Sequence, residues 1–280
     1  MRRHKVKHRG YRYRVDTAGI VTVLRAAGCV FAEQEARLLA EAAPSPADLA
    51  EMVGRRAAGL PLEQVLGWAE FCGARVAVRP GVFVPRRRTE LLARQAVSLT
   101  RPGSVVLDLC CGTGAVGGAI TRARPGIELH AVDLDPVAVE CARGNLAGLG
   151  SVHEGDLYGA LPPALQGNVD IIVCNAPYVP TDEIALMPPE ARVHEPRHAL
   201  DGGRDGLDIQ RRVIGQAREW LRRNGYLMIE TSGKQSGETV KAFVRAGFTA
   251  RVVTSEELDA TIVTGSPHVR GQRGGLSAAG

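Results

Sequence analysis

The six cysteines of this 280-residue chain, Cys29, Cys72, Cys110, Cys111, Cys141 and Cys174, show neither C-x-x-C spacing nor a histidine cluster at zinc-ligand distance. That excludes the common structural zinc sites. No apolar run approaches the roughly 20 residues that a membrane-spanning helix needs, and the basic N-terminus lacks the apolar stretch of a secretory signal. Free, mostly buried thiols in a reducing compartment, and so a cytoplasmic protein, are expected.

Acidic residues are missing from the first 14 positions, which hold seven Lys and Arg and leave the rest of the chain at a formal −2 out of a total of +5. Only the tail is basic. The large cationic face of a nucleic-acid reader is therefore lacking, and contact with nucleic acid is unlikely except through that tail. Residues 1–14 read as a basic, disordered extension, with an arm that meets phosphate or the ribosome as the less favoured reading. The length suits one α/β domain of ordinary size plus a smaller appendage.

From Asp16 to about Gly59 the apolar spacing is helical, with Ser45-Pro46 as an N-cap and first-turn pair, and predicts about three short helices. Residues 68–84 alternate and carry Gly73 and Pro80-Gly81, the punctuation of a β-hairpin. From Thr89 onward helices are predicted at 89–99, 115–123, 136–147, 207–222 and 235–245. Strands are predicted at 104–109, 127–132, 150–153, 169–174, 225–231, 247–253 and 260–264. Such alternation implies a mostly parallel sheet covered on both faces. The short, acidic link Ser255 to Asp259 implies that the last two strands form an antiparallel hairpin at the sheet edge. The proline-rich stretch 177–206 reads as a long irregular loop. The expected division is a tail over 1–14, a helical domain over 15–67, a hairpin linker over 68–87, an α/β domain over 88–265 and a flexible tail over 266–280.

The residues that carry chemistry lie at the ends of predicted strands. Asp108 through Gly114 (Asp-Leu-Cys-Cys-Gly-Thr-Gly) closes one strand and opens a helix, where glycines let the backbone approach a ligand and free N–H groups face it. Asp133 ends the next strand, where a carboxylate can take both hydroxyls of a ribose, and Leu134 follows it. Asp156-Leu157 follows the third strand, where an acid can accept the amine of an adenine. Together they point to a nucleoside cofactor, with Asp108, Gly112, Thr113, Gly114, Asp133, Leu134, Asp156 and Leu157 as the binding residues. Gly112, Gly114 and Gly117 satisfy the dinucleotide string G-x-G-x-x-G. However, Asp108 stands four residues before the first glycine, where it would repel a pyrophosphate and attract an ammonium. S-adenosyl-L-methionine is accordingly preferred to NAD.

The fourth predicted strand runs into Asn175-Ala176-Pro177-Tyr178. An amide or amino nitrogen is a weak nucleophile, so its site must hold the lone pair in line with the bond to be broken. Asn175 can accept one N–H with its side-chain oxygen while the main-chain carbonyl of Ala176 accepts the other. Pro177 stiffens the turn, and Tyr178 offers a face for a planar group. These four are the candidate catalytic residues, Asn175 also bordering the cofactor. Cys110 and Cys111 read as small packing residues, since no histidine lies near in sequence, and His194, Glu195, Arg197 and His198 read as solvated loop polarity.

The chain resembles the protein-(glutamine-N5) methyltransferases that modify the Gly-Gly-Gln loop of peptide-chain release factors. The resemblance spans roughly residues 16 to 265. It is carried by Pro61 to Gly67, Phe83-Val-Pro85-Arg86, Thr89-Glu90, the Asp108 turn, Ala131-Val-Asp133, Gly155-Asp156, Asn175 to Tyr178 and Glu195 to Gly203. It implies a class I, Rossmann-like methyltransferase domain with a seven-stranded sheet, a small helical domain that recognises the protein substrate, and a linking β-hairpin. It further implies that Asn175 and the Ala176 carbonyl hold a glutamine amide against Tyr178. Two departures touch the substrate side: Ala176 stands where the family has proline, and Arg86-Arg87-Arg88-Thr89-Glu90 stands where it has Arg-Pro-Glu-Thr-Glu. A small amino or guanidino acceptor, a DNA adenine, and a non-catalytic module docking on ribosomal RNA are the alternatives to a release-factor substrate.

Overall fold

The computed structural model describes residues 16–268. They fall into two compact units that meet between Leu66 and Gly67.

The smaller unit contains α1 (Thr17–Ala26), α2 (Ala32–Ala42), α3 (Pro46–Ala57) and α4 (Leu62–Leu66). Its helix starts are set by local chemistry: Asp16 accepts the Gly19 N–H at 3.0 Å, and the Ser45 hydroxyl accepts the Asp48 N–H at 3.2 Å ahead of Pro46. Leu24, Ala36, Leu39, Leu49, Val53 and Val65 form the core. Between α2 and α3, Glu35 and Arg56 are buried as a pair at 2.6 Å, and Arg56 also donates to the Leu60 carbonyl at 2.9 Å.

The larger unit opens with a hairpin, β1 (Trp68–Phe71) and β2 (Ala74–Ala77), turned by Cys72 and Gly73 at positive φ. It is shorter than the alternation of residues 68–84 predicts, and the chain from Val78 to Arg86 is extended loop. The hairpin belongs to this unit: the Asn145 amide both accepts from the Ala77 N–H and donates to the Ala77 carbonyl, each at 2.9 Å. Then come α5 (Glu90–Leu99), β3 (Val105–Leu109), α6 (Ala115–Ala123), β4 (Glu128–Asp133), α7 (Pro136–Asn145), β5 (Ser151–Glu154) and β6 (Val169–Cys174). After these follow α8 (Pro189–His194), α9 (Asp208–Trp220), β7 (Leu221–Thr231), α10 (Ser236–Arg245), β8 (Phe248–Ser255) and β9 (Ala260–Pro267).

Among the described residues the large sheet has seven strands in the order β5-β4-β3-β6-β7-β9-β8. The first five run parallel, and β9 is antiparallel to both β7 and β8. Strand β3 is buried throughout, as a parallel strand covered on both faces must be. Leu107 and Leu109 pack with Ile172, Ile229, Val213 and Phe243 on one face, and Val106 packs with Val173, Leu92 and Ile120 on the other. Residues 266 and 267, expected in the flexible tail, instead extend β9 opposite Thr249 and Phe248, and the His268 N–H donates to the Gly247 carbonyl at 3.0 Å. The rest of that tail and the expected basic tail over 1–14 lie outside the described residues.

The parallel register brings the strand ends level. Leu109 lies opposite Val132 and Cys174, Asp133 opposite Glu154, and Cys174 opposite Ile229. Cys110, Leu134, Gly155, Asn175 and Glu230 therefore emerge along one edge of the sheet, where open α/β sheets form their ligand crevice.

Candidate active site

Asp108 is the last but one residue of β3, on the face covered by α6, and only 2 % of it is exposed. Its Oδ2 accepts the Gly117 N–H at 2.8 Å, so the carboxylate caps the helix that no N-terminal side chain caps. Burial pushes its pKa up to about 7, against the pull of that N–H, and nearby Asp133 adds to the rise. The chain then turns through Cys110 (φ 57°), Gly112 (φ 55°) and Gly114 (φ 74°). Space beside Gly112 is open, whereas a Cβ on Gly114 would fall 2.9 Å from Leu146.

Asp133 holds the turn from the next strand: Oδ2 accepts the Gly112 N–H at 2.8 Å, and Oδ1 accepts the Asp135 N–H at 3.0 Å. Burial raises its pKa while those two N–H groups lower it. Thr113 is buried, and its carbonyl accepts from Asn145 Nδ2 at 2.9 Å, which ties the turn to the hairpin. Asp156 pairs with Arg212 at 2.5 Å, and Leu157 follows at φ 50°.

One cavity of about 210 Å³ is lined by Asp108, Gly112, Thr113, Asp133, Leu134, Asp156, Leu157, Asn175, Ala176, Pro177 and Tyr178. Gly114 is the exception among the sequence candidates. It does not line the cavity; its missing side chain makes room for Leu146, so its glycine serves helix packing. Strands β3 and β6 are hydrogen-bonded neighbours, and the glycine turn and Asn175 open into the same space.

Around the Asn175 segment the wall is polar on one side. Asn175 Nδ2 lies 3.4 Å from the hydroxyl of Thr89, a buried cavity residue that stands just before α5. The Tyr178 hydroxyl lies 3.4 Å from Glu230, and burial first, then that carboxylate, push the tyrosine pKa up to about 12. Tyr178 thus keeps its proton near neutral pH. Gln235 Nε2 donates at 2.9 Å to the carbonyls of both Tyr178 and Asp205, pinning the two ends of the long loop together.

Stretch 177–206 is more ordered than its composition suggests. Val179 bridges Asp201, the Thr181 hydroxyl donates to Asp201 at 2.7 Å, and short helical turns occupy Thr181–Leu186 and Arg197–Ala199 on either side of α8. Of the loop residues expected to be solvated polarity, Glu195 departs from that, whereas His198 is exposed as expected although it makes one ion-pair contact. Glu195 is buried and takes the Arg86 guanidinium at 2.6 Å and the Val84 N–H at 3.3 Å, while His198 Nε2 meets Asp135 at 3.1 Å. These contacts hold Pro196, His198 and Leu200 over the cavity. The signal was present in the Glu195-Pro-Arg197 string, but nothing local distinguishes a buried loop acid from a solvated one. Replacing Arg86 by methionine strands the Glu195 carboxylate and is expected to cost roughly 3 kcal/mol in urea denaturation. A loss under about 1 kcal/mol would remove the pair from the account of how this roof is held.

The Methyltransferase small domain family matches residues 74–203. A release factor glutamine methyltransferase of Mycolicibacterium smegmatis is 39% identical over 221 residues, covering 77% of this chain and 78% of its own. The chain belongs to the release factor glutamine methyltransferase family. Its relative of the same name in Geobacter sulfurreducens is 36% identical over 200 residues, covering 70% of this chain and 69% of its own. A methyltransferase from Pyrococcus furiosus shares the fold, with a TM-score of 0.56 at 15% identity over 77% of this chain and 100% of that one.

S-adenosylmethionine is the methyl donor of this enzyme class, and the cavity fits it on its own chemistry. Asp108 is a buried carboxylate that faces the cavity and is short of a cation, which an ammonium would supply. It also occupies the α6 N-terminus, the place a pyrophosphate would require. Leu134, 63 % exposed yet on the cavity wall, and Leu157 offer apolar surface to a base. Among the described helices none is long and apolar enough to cross a membrane.

Proposed function

We propose that this enzyme methylates the side-chain amide nitrogen of a glutamine in a peptide-chain release factor. The observation that carries the reading is that Asn175-Ala176-Pro177-Tyr178 and the Asp108 turn, from neighbouring strands, line one cavity. Relatives that bear the release-factor name, at 39% and 36% identity, support the choice of substrate.

Bound S-adenosylmethionine would supply an electrophilic methyl carbon. Every other requirement falls on the chain. Asp108 and Asp133 would hold the amino acid and ribose ends of the donor, and Leu134, Asp156 and Leu157 its base. The side-chain oxygen of Asn175 and the main-chain carbonyl of Ala176 would accept the two N–H groups of the glutamine amide and so aim its nitrogen along one line. Such acceptors also draw electron density toward the nitrogen as its hydrogens grow more acidic during attack. Tyr178, held neutral, would pack its ring on the amide plane. Alanine at position 176 keeps the main-chain carbonyl that proline would supply and adds an N–H, which faces the Cys174 thiol.

The arginines of the Arg86 to Arg88 run, of which Arg87 and Arg88 are the departures, are matched by acids: Arg86 pairs with Glu195, Arg87 lies 3.6 Å from Glu257, and Arg88 lies 3.7 Å from Glu230. The helical unit of residues 16–66 would recognise the body of the protein substrate. Incubating the enzyme with labelled S-adenosylmethionine and a bacterial release factor should add one methyl group to the glutamine of the Gly-Gly-Gln loop, found by peptide mass spectrometry. Label appearing instead in nucleic acid or in a small-molecule fraction would overturn the assignment.

A further inference from the structure

Beyond Cys174 the chain leaves the sheet: the last register partners of β6 are Leu109 on one side and Ile229 on the other, both opposite Cys174. The turn that follows needs another anchor. Among the described residues the carbonyls of Ala176 and Pro177 accept no hydrogen bond from the chain, whereas the Tyr178 carbonyl accepts one, from Gln235 Nε2 at 2.9 Å. Val179 then joins the bridge to Asp201, its N–H donating to the Leu200 carbonyl at 3.0 Å.

Gln235, the residue before α10, is held at both ends of its amide. Nε2 donates to the carbonyls of Tyr178 and Asp205, each at 2.9 Å, and Oε1 accepts the Ser232 hydroxyl at 2.7 Å. Carbonyl oxygens can only accept, so the amide has a single orientation and both of its donors are spent on main chain. Nothing else fits into this junction. A Cβ on Gly206, which stands at φ 76°, would fall 2.2 Å from Gln235 Nε2 and 2.2 Å from the Tyr178 carbonyl oxygen.

We propose that Gln235 is a positioning residue for methyl transfer, holding the Asn175–Tyr178 turn through the Tyr178 carbonyl so that the Ala176 carbonyl and the Tyr178 ring stay set for the acceptor amide. The proposal rests on the reading of that turn as the site of the amide. Gln235 is not on the cavity wall, so it acts through the turn and touches neither donor nor acceptor. Where the family has two successive prolines this chain keeps only Pro177, which leaves free one φ that a ring would fix. The clasp at Tyr178 constrains the same turn from outside.

The test uses the full-length enzyme in single-turnover methyl transfer to a release factor at saturating S-adenosylmethionine. Gln235→Ala is expected to slow the step about ten- to a hundredfold, as a misplacement of about 1 Å does, while the affinity for S-adenosylhomocysteine stays within about threefold of wild type. Gln235→Glu keeps the size of the side chain and its acceptor for Ser232 but, ionised, donates to neither carbonyl, so it should be slowed as much. Adding Ala176→Pro to Gln235→Ala should recover most of the loss, because the ring fixes φ from within the turn. A residue that only supported the fold would show no such rescue. Wild-type turnover in both Gln235 variants, a loss of S-adenosylhomocysteine affinity as large as the loss of rate in both, or no rescue by proline would overturn the proposal. Full activity in Asn175→Ala would instead sink the reading of the acceptor site, so the two failures are distinguishable.

Discussion

Asp108→Asn is expected to weaken cofactor binding about 30- to 100-fold and, in the cofactor-free protein, to raise stability at pH 8. The loss follows from replacing a charge-assisted contact to an ammonium by a neutral one in a buried site, a difference of about 2–3 kcal/mol. The gain follows from the raised pKa. Folded Asp108 holds its proton up to about pH 7, whereas an exposed aspartate releases it near 3.8. Between those values the folded state binds more protons, so the stability this group contributes is complete below about 3.8 and is lost as pH climbs to about 7. Above pH 7 the ionised buried carboxylate costs up to about 4 kcal/mol that asparagine does not incur, while the amide oxygen can still accept the Gly117 N–H. Urea denaturation of the two proteins at pH 5 and pH 8 measures the crossover, and calorimetric titration with S-adenosylhomocysteine measures the binding loss. For the wild type, affinity should fall about tenfold per pH unit below 7, because binding must first expel the proton. An Asp108→Asn enzyme that binds normally, or that is less stable at pH 8, would show that Asp108 does not wait for a cation.

The strand ends were readable because each rests on a local rule. Asp108 closes an apolar run and precedes glycines, Asp133 closes another before the Asp135-Pro136 helix start, and Asn175 closes a third. Their coming together needed one further inference, that the strands are parallel with their ends level, and the register of Leu109 against Val132 and Cys174 supplies it. Gly114 could not be told from Gly112, because a glycine that admits a ligand and one that admits a neighbouring leucine look alike in a string. Nor could Glu195 and Glu230 be separated from the many solvated glutamates. Glu195 is buried by Arg86, more than a hundred positions away, and Glu230 by Thr89, Tyr178 and Arg88 from two other segments. Burial of an acid by distant partners leaves no periodicity, so the polar support behind the site is where sequence reading ends. The Ser45-Pro46 and Asp135-Pro136 starts lie at the other extreme, since cap and helix are adjacent in the chain.

Removing the acceptor's own anchor should have the largest effect on turnover. Asn175→Ala is expected to lower kcat by about a hundred- to a thousandfold, the loss that follows deletion of one preorganised hydrogen-bond partner of a reacting group, with cofactor affinity changed by less than about threefold. The separation is expected because Asn175 lies on the Thr89 side of the cavity, whereas the charged contacts proposed for the donor would come from Asp108 and Asp133 on β3 and β4. Alanine leaves the fold intact: Asn175 is half-buried, and its side chain's contact of 3.4 Å to Thr89 is the only hydrogen bond it makes among the described residues. Asn175→Asp sharpens the result. Aspartate has the same shape and accepts at both oxygens, but it brings a negative charge to a half-buried position and loses the N–H that meets Thr89, so it should be slow at neutral pH although it can still take an N–H. Single-turnover methyl transfer to a release factor, with calorimetric titration by S-adenosylhomocysteine, checks both variants. Normal turnover in Asn175→Ala would mean that the glutamine amide is held by other groups and that this strand end only shapes the cleft.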